Sequence, residues 1–221
     1  MRRLTFEYRL YPNKQQEACL IRSFSSAQEM YNLLLEKAIS VYETEGKRLS
    51  KYDMCKYVKT IKDRDETFYA TYSQVLQNCA DRLSKAFDNF FRRVKENKEG
   101  KRQKPGFPRF KRSIKSITYP QDGFKIDHGG RTISICKIGR VRVRLHRPII
   151  GQIKTMTIVR RRSGKWFVLF SCIIDDETVP PKKGPEIGID LGVRHFITTS
   201  EGEHIDHLVL SDYERRKLKR L

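Results

Sequence analysis

Residues 3–16, RLTFEYRLYPNKQQ, decide how the fold is read. Leu4, Phe6, Tyr8 and Leu10 alternate with Thr5, Glu7 and Arg9, which is the period of a strand with one face in a core and the other in water. Pro12 and Asn13 then end the strand, and Asn13 with Gln16 stands at capping-box spacing, so a helix begins at once. A lone strand leaves its backbone groups without partners. Its sheet therefore has to be completed by segments that return later in the chain.

Working outward, Leu20, Phe24, Ala27, Tyr31, Leu34, Ala38 and Val41 recur at helical intervals as far as Gly46. A second helix is expected after Ser50, with Met54, Tyr57, Val58 and Ile61 on its apolar side. A third follows Ser73, where Leu76, Ala80, Leu83, Phe87, Phe90, Phe91 and Val94 make a broad stripe. Residues 98–115, KEGKRQKPGFPRFKRSIK, combine Gly, Pro and dense Lys/Arg and read as a basic loop. Beyond it the period falls to two, with strands expected around Ile133–Ile135, Val141–Leu145, Met156–Val159 and Trp166–Ile174. Gly129-Gly130 and Ser163-Gly164 stand where tight turns belong. The pattern predicts an α+β chain, with a β-barrel-like domain interrupted by helices and closed by its own first strand. Trp166, between a turn and an apolar run, reads as core.

Pro180 to Pro185 cannot continue a strand and reads as a linker. After it a strand over Glu186–Leu191, a second over His195–Thr199, a turn at Glu201-Gly202, a third short strand and a basic helix capped by Ser211 and Glu214 are expected.

The 221 residues carry 46 Lys+Arg against 26 Asp+Glu, a formal charge of +20, well beyond the roughly 2–8 that keeps a small domain soluble. Such an excess points to a polyanion, and to nucleic acid first. An apolar fraction of 38% with 12 Phe and 10 Tyr is enough to fill a core. Five widely spaced cysteines without a C-x-x-C pair read as reduced, buried thiols of a cytoplasmic protein. No run of about 18–20 apolar residues offers a membrane span, and no membrane partner is expected. The basic final helix has only Leu218 and Leu221 as its apolar stripe, too thin for a membrane-surface helix.

The sharpest local feature is Gly188-Ile189-Asp190-Leu191-Gly192, an acid in an apolar strand between glycines. Burying an unpaired carboxylate is costly, so Asp190 calls for a partner. Two readings stand: a strand-end Asp bonded to the next turn, or a Mg²⁺ ligand of a ribonuclease H-like nuclease. His204 and His207 could suggest a metal, but two histidines without a third ligand more often belong to a surface loop.

Taken in order, several segments resemble the TnpB family, OrfB-type insertion-sequence transposases that are RNA-guided DNA endonucleases. They are Phe6 to Gln16, Ser73-Gln74-Val75-Leu76-Gln77 with Ala86 to Phe91, Gly106-Phe107-Pro108-Arg109-Phe110-Lys111, Ile138 to Val141, His146-Arg147-Pro148, Ser163 to Trp166 and Gly188 to Gly192. Each piece alone is weak; their common order over nearly the whole chain is specific. The resemblance implies a wedge β-barrel domain (1–11 and 105–180), a helical recognition insertion with the basic loop (12–104) and the start of a RuvC nuclease domain (186–221). It also implies a guide RNA from the transposon end, a double-stranded DNA target read beside a short motif, and Mg²⁺. Asp190 matches the first of three catalytic carboxylates. The other two, and the zinc ribbon of such enzymes, have no counterpart here, so no zinc site is expected. A ribonuclease H-like sheet needs further strands to complete its metal site, so this polypeptide alone is expected to lack cleavage and to depend on a C-terminal nuclease portion.

The binding half supplies the other candidates. Arg140, Arg142 and Arg144 project from one strand face and are read as phosphate contacts, as is Arg9 on the polar face of the first strand. Lys104, Arg109, Lys111 and Arg112 alternate with Phe107 and Phe110, which suits either base stacking with charge on the backbone, or phenylalanines that pin the loop to the barrel beneath solvated charges. By the resemblance, Tyr52, Ser73 and Gln77 lie near target-adjacent DNA, where hydroxyls and amides read base edges; Ser73 is also a plausible helix cap and Gln77 a plain surface residue. The competing function is binding without chemistry, as a nuclease-dead RNA-guided DNA-binding repressor or an RNA-binding protein.

Overall fold

The computed structural model describes residues 1–120, 122–127, 129–175, 184, 186–207 and 209–218. The chain divides into two compact units, Met1–Thr178 and Val179–Leu221.

In the first unit, strand β1 (Arg2–Tyr11) runs into helix α1 (Lys14–Glu45) through a closed capping box. The Gln16 amide donates to Asn13 Oδ1 at 2.8 Å, and the Asn13 amide donates to Gln16 Oε1 at 3.0 Å. Gly46 ends the helix in the left-handed region (φ 67°), where a glycine meets no Cβ penalty, and donates its N–H to the Tyr42 carbonyl. Helix α2 (Lys51–Arg64) is capped by Ser50, a short 3-10 turn spans Glu66–Ala70, and α3 (Ser73–Lys98) follows. Lys51 pairs with Asp81 and Lys62 with Ser73, which lays α2 antiparallel along α3.

Ser73 is not the cap of α3. Tyr72 holds that position without a side-chain hydrogen bond, and its ring stacks on Tyr119 at 5.6 Å instead. Gly123 permits this approach, since a Cβ there would come within 2.5 Å of the Tyr72 ring. The Ser73 hydroxyl accepts from the Lys62 ammonium at 2.6 Å.

Six more strands follow: β2 (Ser116–Tyr119), β3 (Phe124–Ile126), β4 (Thr132–Ile135), β5 (Gly139–Arg144), β6 (Gln152–Arg160) and β7 (Trp166–Ile174). With β1 they form one antiparallel sheet in the order β2-β6-β7-β1-β5-β4-β3. The first strand thus completes the late sheet, paired over nine residues with β7 and over three with β5. Strands β2 and β3 were not expected. The sheet curls towards closure: Tyr119 on one edge strand donates its hydroxyl to the Cys136 carbonyl, and the Cys136 amide donates to Gly123. Turns at Gly130 and Gly164 have φ of 62° and 75°, as their glycines predicted.

Phe6, Tyr8, Leu10, Val141, Val143, Val168 and Phe170 line the interior, joined in one continuous core with Leu20, Leu34, Leu76 and Leu83 of the helices. Trp166 is core, edge-on to Phe24 at 5.4 Å. Arg82 docks α3 onto β2 by donating to the Ser116 carbonyl and the Thr118 hydroxyl, both at 2.9 Å, and burial pulls its pKa down. The five cysteines are free thiols; Cys79 and Cys172 are buried and the other three half-buried.

The second unit holds β8 (Ile189–Asp190), β9 (Ile197–Thr199) and β10 (His204–Ile205) in a three-stranded antiparallel sheet, with α4 (Asp212–Leu218) after it. The expected strands at 186–191 and 195–199 form, but shortened to two and three residues. None of this unit's described residues is buried. The expected linker lies outside the described residues apart from Gly184, as do residues 219–221 of the final helix. Among the described residues no helix is long and apolar enough to cross a membrane.

Candidate nucleic-acid interface

Residues directly opposite in an antiparallel ladder point to the same face. The register pairs Arg9 with Arg144 on one side and with Phe167 on the other, and pairs Tyr11 with Arg142. Arg142 lies opposite Thr132, and Arg140 opposite Ser134, which in turn faces Lys125. The outward face of β7-β1-β5-β4-β3 therefore carries a basic stripe with aromatic rings set into it. The Arg9 guanidinium is held by position: it lies 5.3 Å from the Tyr11 ring and 5.0 Å from the Phe167 ring, and donates to the Trp166 carbonyl.

The three arginines of β5 share this face, with Val141 and Val143 buried between them, but they are not equivalent. Arg140 is tethered to Asp127 at 3.4 Å, and Asp127 also accepts from the Thr132 hydroxyl. Arg142 and Arg144 are exposed and have no carboxylate partner among the described residues. They frame an open cleft of about 480 Å³ with Tyr11, Arg131 and Gly130. Tyr11, Phe167, Lys125 and Arg131 were missed in the sequence because their place depends on which strands become neighbours.

Between residues 103 and 111 the basic loop is fastened to the helices, and only its end reaches the barrel, where the Lys115 carbonyl accepts from the Arg160 amide. Phe107 packs edge-on against Phe87 and Phe90 of α3, at 5.7 and 5.3 Å. Two asparagines clamp the loop, each bonding both backbone groups of one residue: Asn32 holds Lys111, and Asn97 holds Gln103. The Lys111 ammonium lies 5.4 Å from the Tyr31 ring. Phe107 therefore takes the pinning role and Phe110, 56% exposed, remains outside. Lys104, Arg109 and Arg112 are exposed along the same strap.

Ser73 and Gln77 stand one turn apart on α3, Gln77 exposed; Tyr52, 68% exposed, is on the first turn of α2 beneath the Lys56 ammonium at 4.5 Å. Among the described residues no hydrogen bond or ring contact joins Tyr52 to the other two.

In the second unit Asp190 is exposed, so the cost of desolvating a carboxylate does not fall on it in this chain. It faces Thr198, which faces His204, so the three form a row across one side of the sheet. His204 pairs not with His207 but with His195, ring on ring at 4.5 Å, and His195 bonds Asp206 at 2.7 Å. His207 turns to the Val193 carbonyl. Among the described residues no three His, Cys, Asp or Glu side chains converge on a metal position.

The family model for the helix-turn-helix domain of OrfB proteins of IS605-type elements matches residues 1–47. Here those residues are one strand and one unbroken helix of 32 residues. "Putative RNA-guided DNA endonuclease InsQ" of Escherichia coli K12 is 30% identical over 227 residues, covering all of this chain and 53% of the relative. Residues 1–47 thus carry the N-terminal domain of the OrfB-type insertion-sequence family. A second relative, "Putative RNA-guided DNA endonuclease" of Streptomyces pristinaespiralis, is 32% identical over 224 residues, covering 98% of this chain and 52% of the relative. The chain spans about half the length of the curated relatives it matches.

Proposed function

We propose that this chain is the nucleic-acid-gripping part of an RNA-guided DNA endonuclease, and that it holds an RNA backbone along the outward face of its sheet. The observation that carries the reading is the fixed stripe of Arg9, Arg142 and Arg144 with Tyr11 and Phe167 set into it. Guanidiniums held by strand register lose little conformational freedom on meeting phosphates, and flat rings between them can accept unpaired bases. The names of both relatives favour a guide RNA and a DNA target. In this reading the loop cations Lys104, Arg109, Lys111 and Arg112 extend the RNA grip, while Tyr52, Ser73 and Gln77 face target-adjacent duplex.

Asp190 is assigned as the first ligand of a Mg²⁺ nuclease centre. Mg²⁺ usually takes one or two carboxylates besides waters and phosphate oxygens. A lone exposed carboxylate beside a threonine and a histidine falls short of a two-metal clamp, so no cleavage step is assigned to these residues.

The test is binding of the purified chain to the 3′-end transcript of its own element and to an unrelated RNA of equal length, across a salt series. Phosphate-dominated binding weakens with salt for both RNAs. Retention of the cognate transcript at salt that strips the control is the expected result. Equal loss of both would reduce the chain to a general polyanion binder.

A further inference from the structure

A second cleft lies in the first unit, where α1, the end of the basic loop and the β6–β7 hairpin meet. Its volume is about 290 Å³, near the lower end of ordinary small-ligand pockets and suited to a single nucleotide. The floor is apolar, formed by Ile21, Phe24 and Ile114. Around it stand three neutral hydrogen-bonding groups, the Gln28 amide and the Ser25 and Ser113 hydroxyls, and none has a hydrogen-bond partner among the described residues.

The hairpin supplies the charge in two forms. Arg160 is paired with Glu17 at 3.3 Å and lies against the Trp166 ring; Arg161 meets both carboxylate oxygens of Glu7 at 2.9 Å. These two are compensated by carboxylates. Arg162 and Lys115, both exposed at the same cleft, have no carboxylate partner among the described residues. The cleft thus offers apolar side chains, unengaged donors and acceptors, and two cations without a carboxylate partner among the described residues. It is also continuous with the sheet stripe, because the Phe167 ring lies 5.0 Å from Arg9 and 5.8 Å from Arg161.

We propose that this cleft captures one unpaired nucleotide of a single strand, with its base on Ile21, Phe24 and Ile114, its edge on Gln28, and the adjoining phosphates on Arg162 and Lys115. A paired base has its edge engaged and its faces stacked, so only an unpaired one can enter. The proposal rests on the nucleic-acid reading above and adds to it a preference for single strands.

Fluorescence anisotropy of the full chain with a labelled single-stranded RNA, the DNA of the same sequence and the RNA duplex tests it, using wild type, Gln28→Ala and Ile21→Ser. Neither substitution changes the charge. Weakening the seat of one base predicts roughly tenfold weaker single-strand binding and unchanged duplex binding. An effect on RNA alone assigns the cleft to ribonucleotides, and an effect on both strands to either sugar. Single-strand affinity equal to wild type in both variants overturns the cleft while leaving the sheet reading intact; failure of wild type to bind any of the three sinks the nucleic-acid reading itself. Because a variant could act by misfolding, 4-thiouridine RNA is also photocrosslinked to the wild-type chain. Adducts in residues 21–28 or 113–115 are expected, and adducts only elsewhere overturn the proposal.

Discussion

The two units of this chain use the same local devices and get different results from them. Each has an antiparallel sheet and a helix opened by a capping box, Asn13 with Gln16 in the first and Ser211 with Glu214 in the second. In the first, β7 alternates buried and half-buried residues over its full nine positions and is paired on both sides. In the second, Ile189, Leu191 and Val193 are 63, 70 and 97% exposed. Alternation makes a strand, but burial of the apolar set stabilises it. A rigid nucleic-acid surface can therefore rest on the first unit, whereas Asp190 stands on a sheet that has no core of its own among the described residues.

Amide hydrogen exchange gives the largest test of that contrast. Amides in β1 and β7 should exchange only through global unfolding, and those in β8–β10 roughly a thousandfold faster or more. Equal protection would break the comparison. Substitution comes next: Phe170→Ala, between the Tyr8 and Phe124 rings, should cost about 3–5 kcal/mol in denaturant unfolding, against less than about 0.5 kcal/mol for Leu191→Ala.

What the sequence disclosed follows the same division. Helix α1 was legible from cap to cap, because Asn13, Gln16 and Gly46 act locally. Strand β7 was legible as a largely apolar run of nine residues just after the Ser163-Gly164 turn. Strands β2 and β3 were not, since Ser116–Tyr119 and Phe124–Ile126 are too short to show a period and exist only through pairing with β6 and β4. Arg142 and Arg144 could be found from their spacing. Their neighbours Tyr11 and Phe167 could not, because nothing local says that residue 9 will meet residues 144 and 167. For Asp190 the apolar flanks suggested burial, and only the absence of packing neighbours corrected it.

The stripe itself can be sharpened. Arg142→Ala with Arg144→Ala should weaken RNA binding roughly tenfold or more at low salt and reduce the salt slope by about 1 for each phosphate left without its cation. Arg140→Ala, already compensated by Asp127, should change the slope less. Equal slopes for the three single variants would remove the distinction among them.

A smaller effect comes from pH. Burial pushes the Cys79 thiol from its ordinary 9.0 up to about 12. Between those values the unfolded chain loses the proton first, so stability should fall as pH rises, with a slope that steepens from pH 9 towards about 1.4 kcal/mol per pH unit. Burial also raises Tyr8, Tyr31 and Tyr119, and they act in the same direction above pH 10, so the window to measure is pH 9 to 10, where the Cys55 and Cys172 thiols, also raised by burial, add to the same slope. Stability measured across that window in wild type and Cys79→Ala should show the slope reduced in the variant; an unchanged slope assigns it elsewhere.

The smallest effect tests the shared motif directly. Asn13 and Ser211 cap helices by the same chemistry, but α1 buries eleven residues behind its cap and α4 none. A cap acts on global stability only through the helix it fastens to the core. Asn13→Ala should therefore cost about 1 kcal/mol of global stability, a typical value for a lost cap. Ser211→Ala should leave the unfolding midpoint unchanged while α4 frays in its own amide signals. If Ser211→Ala lowers the global midpoint as much as Asn13→Ala does, the second unit is coupled to the core, and Asp190 has a firmer base than its exposure implies.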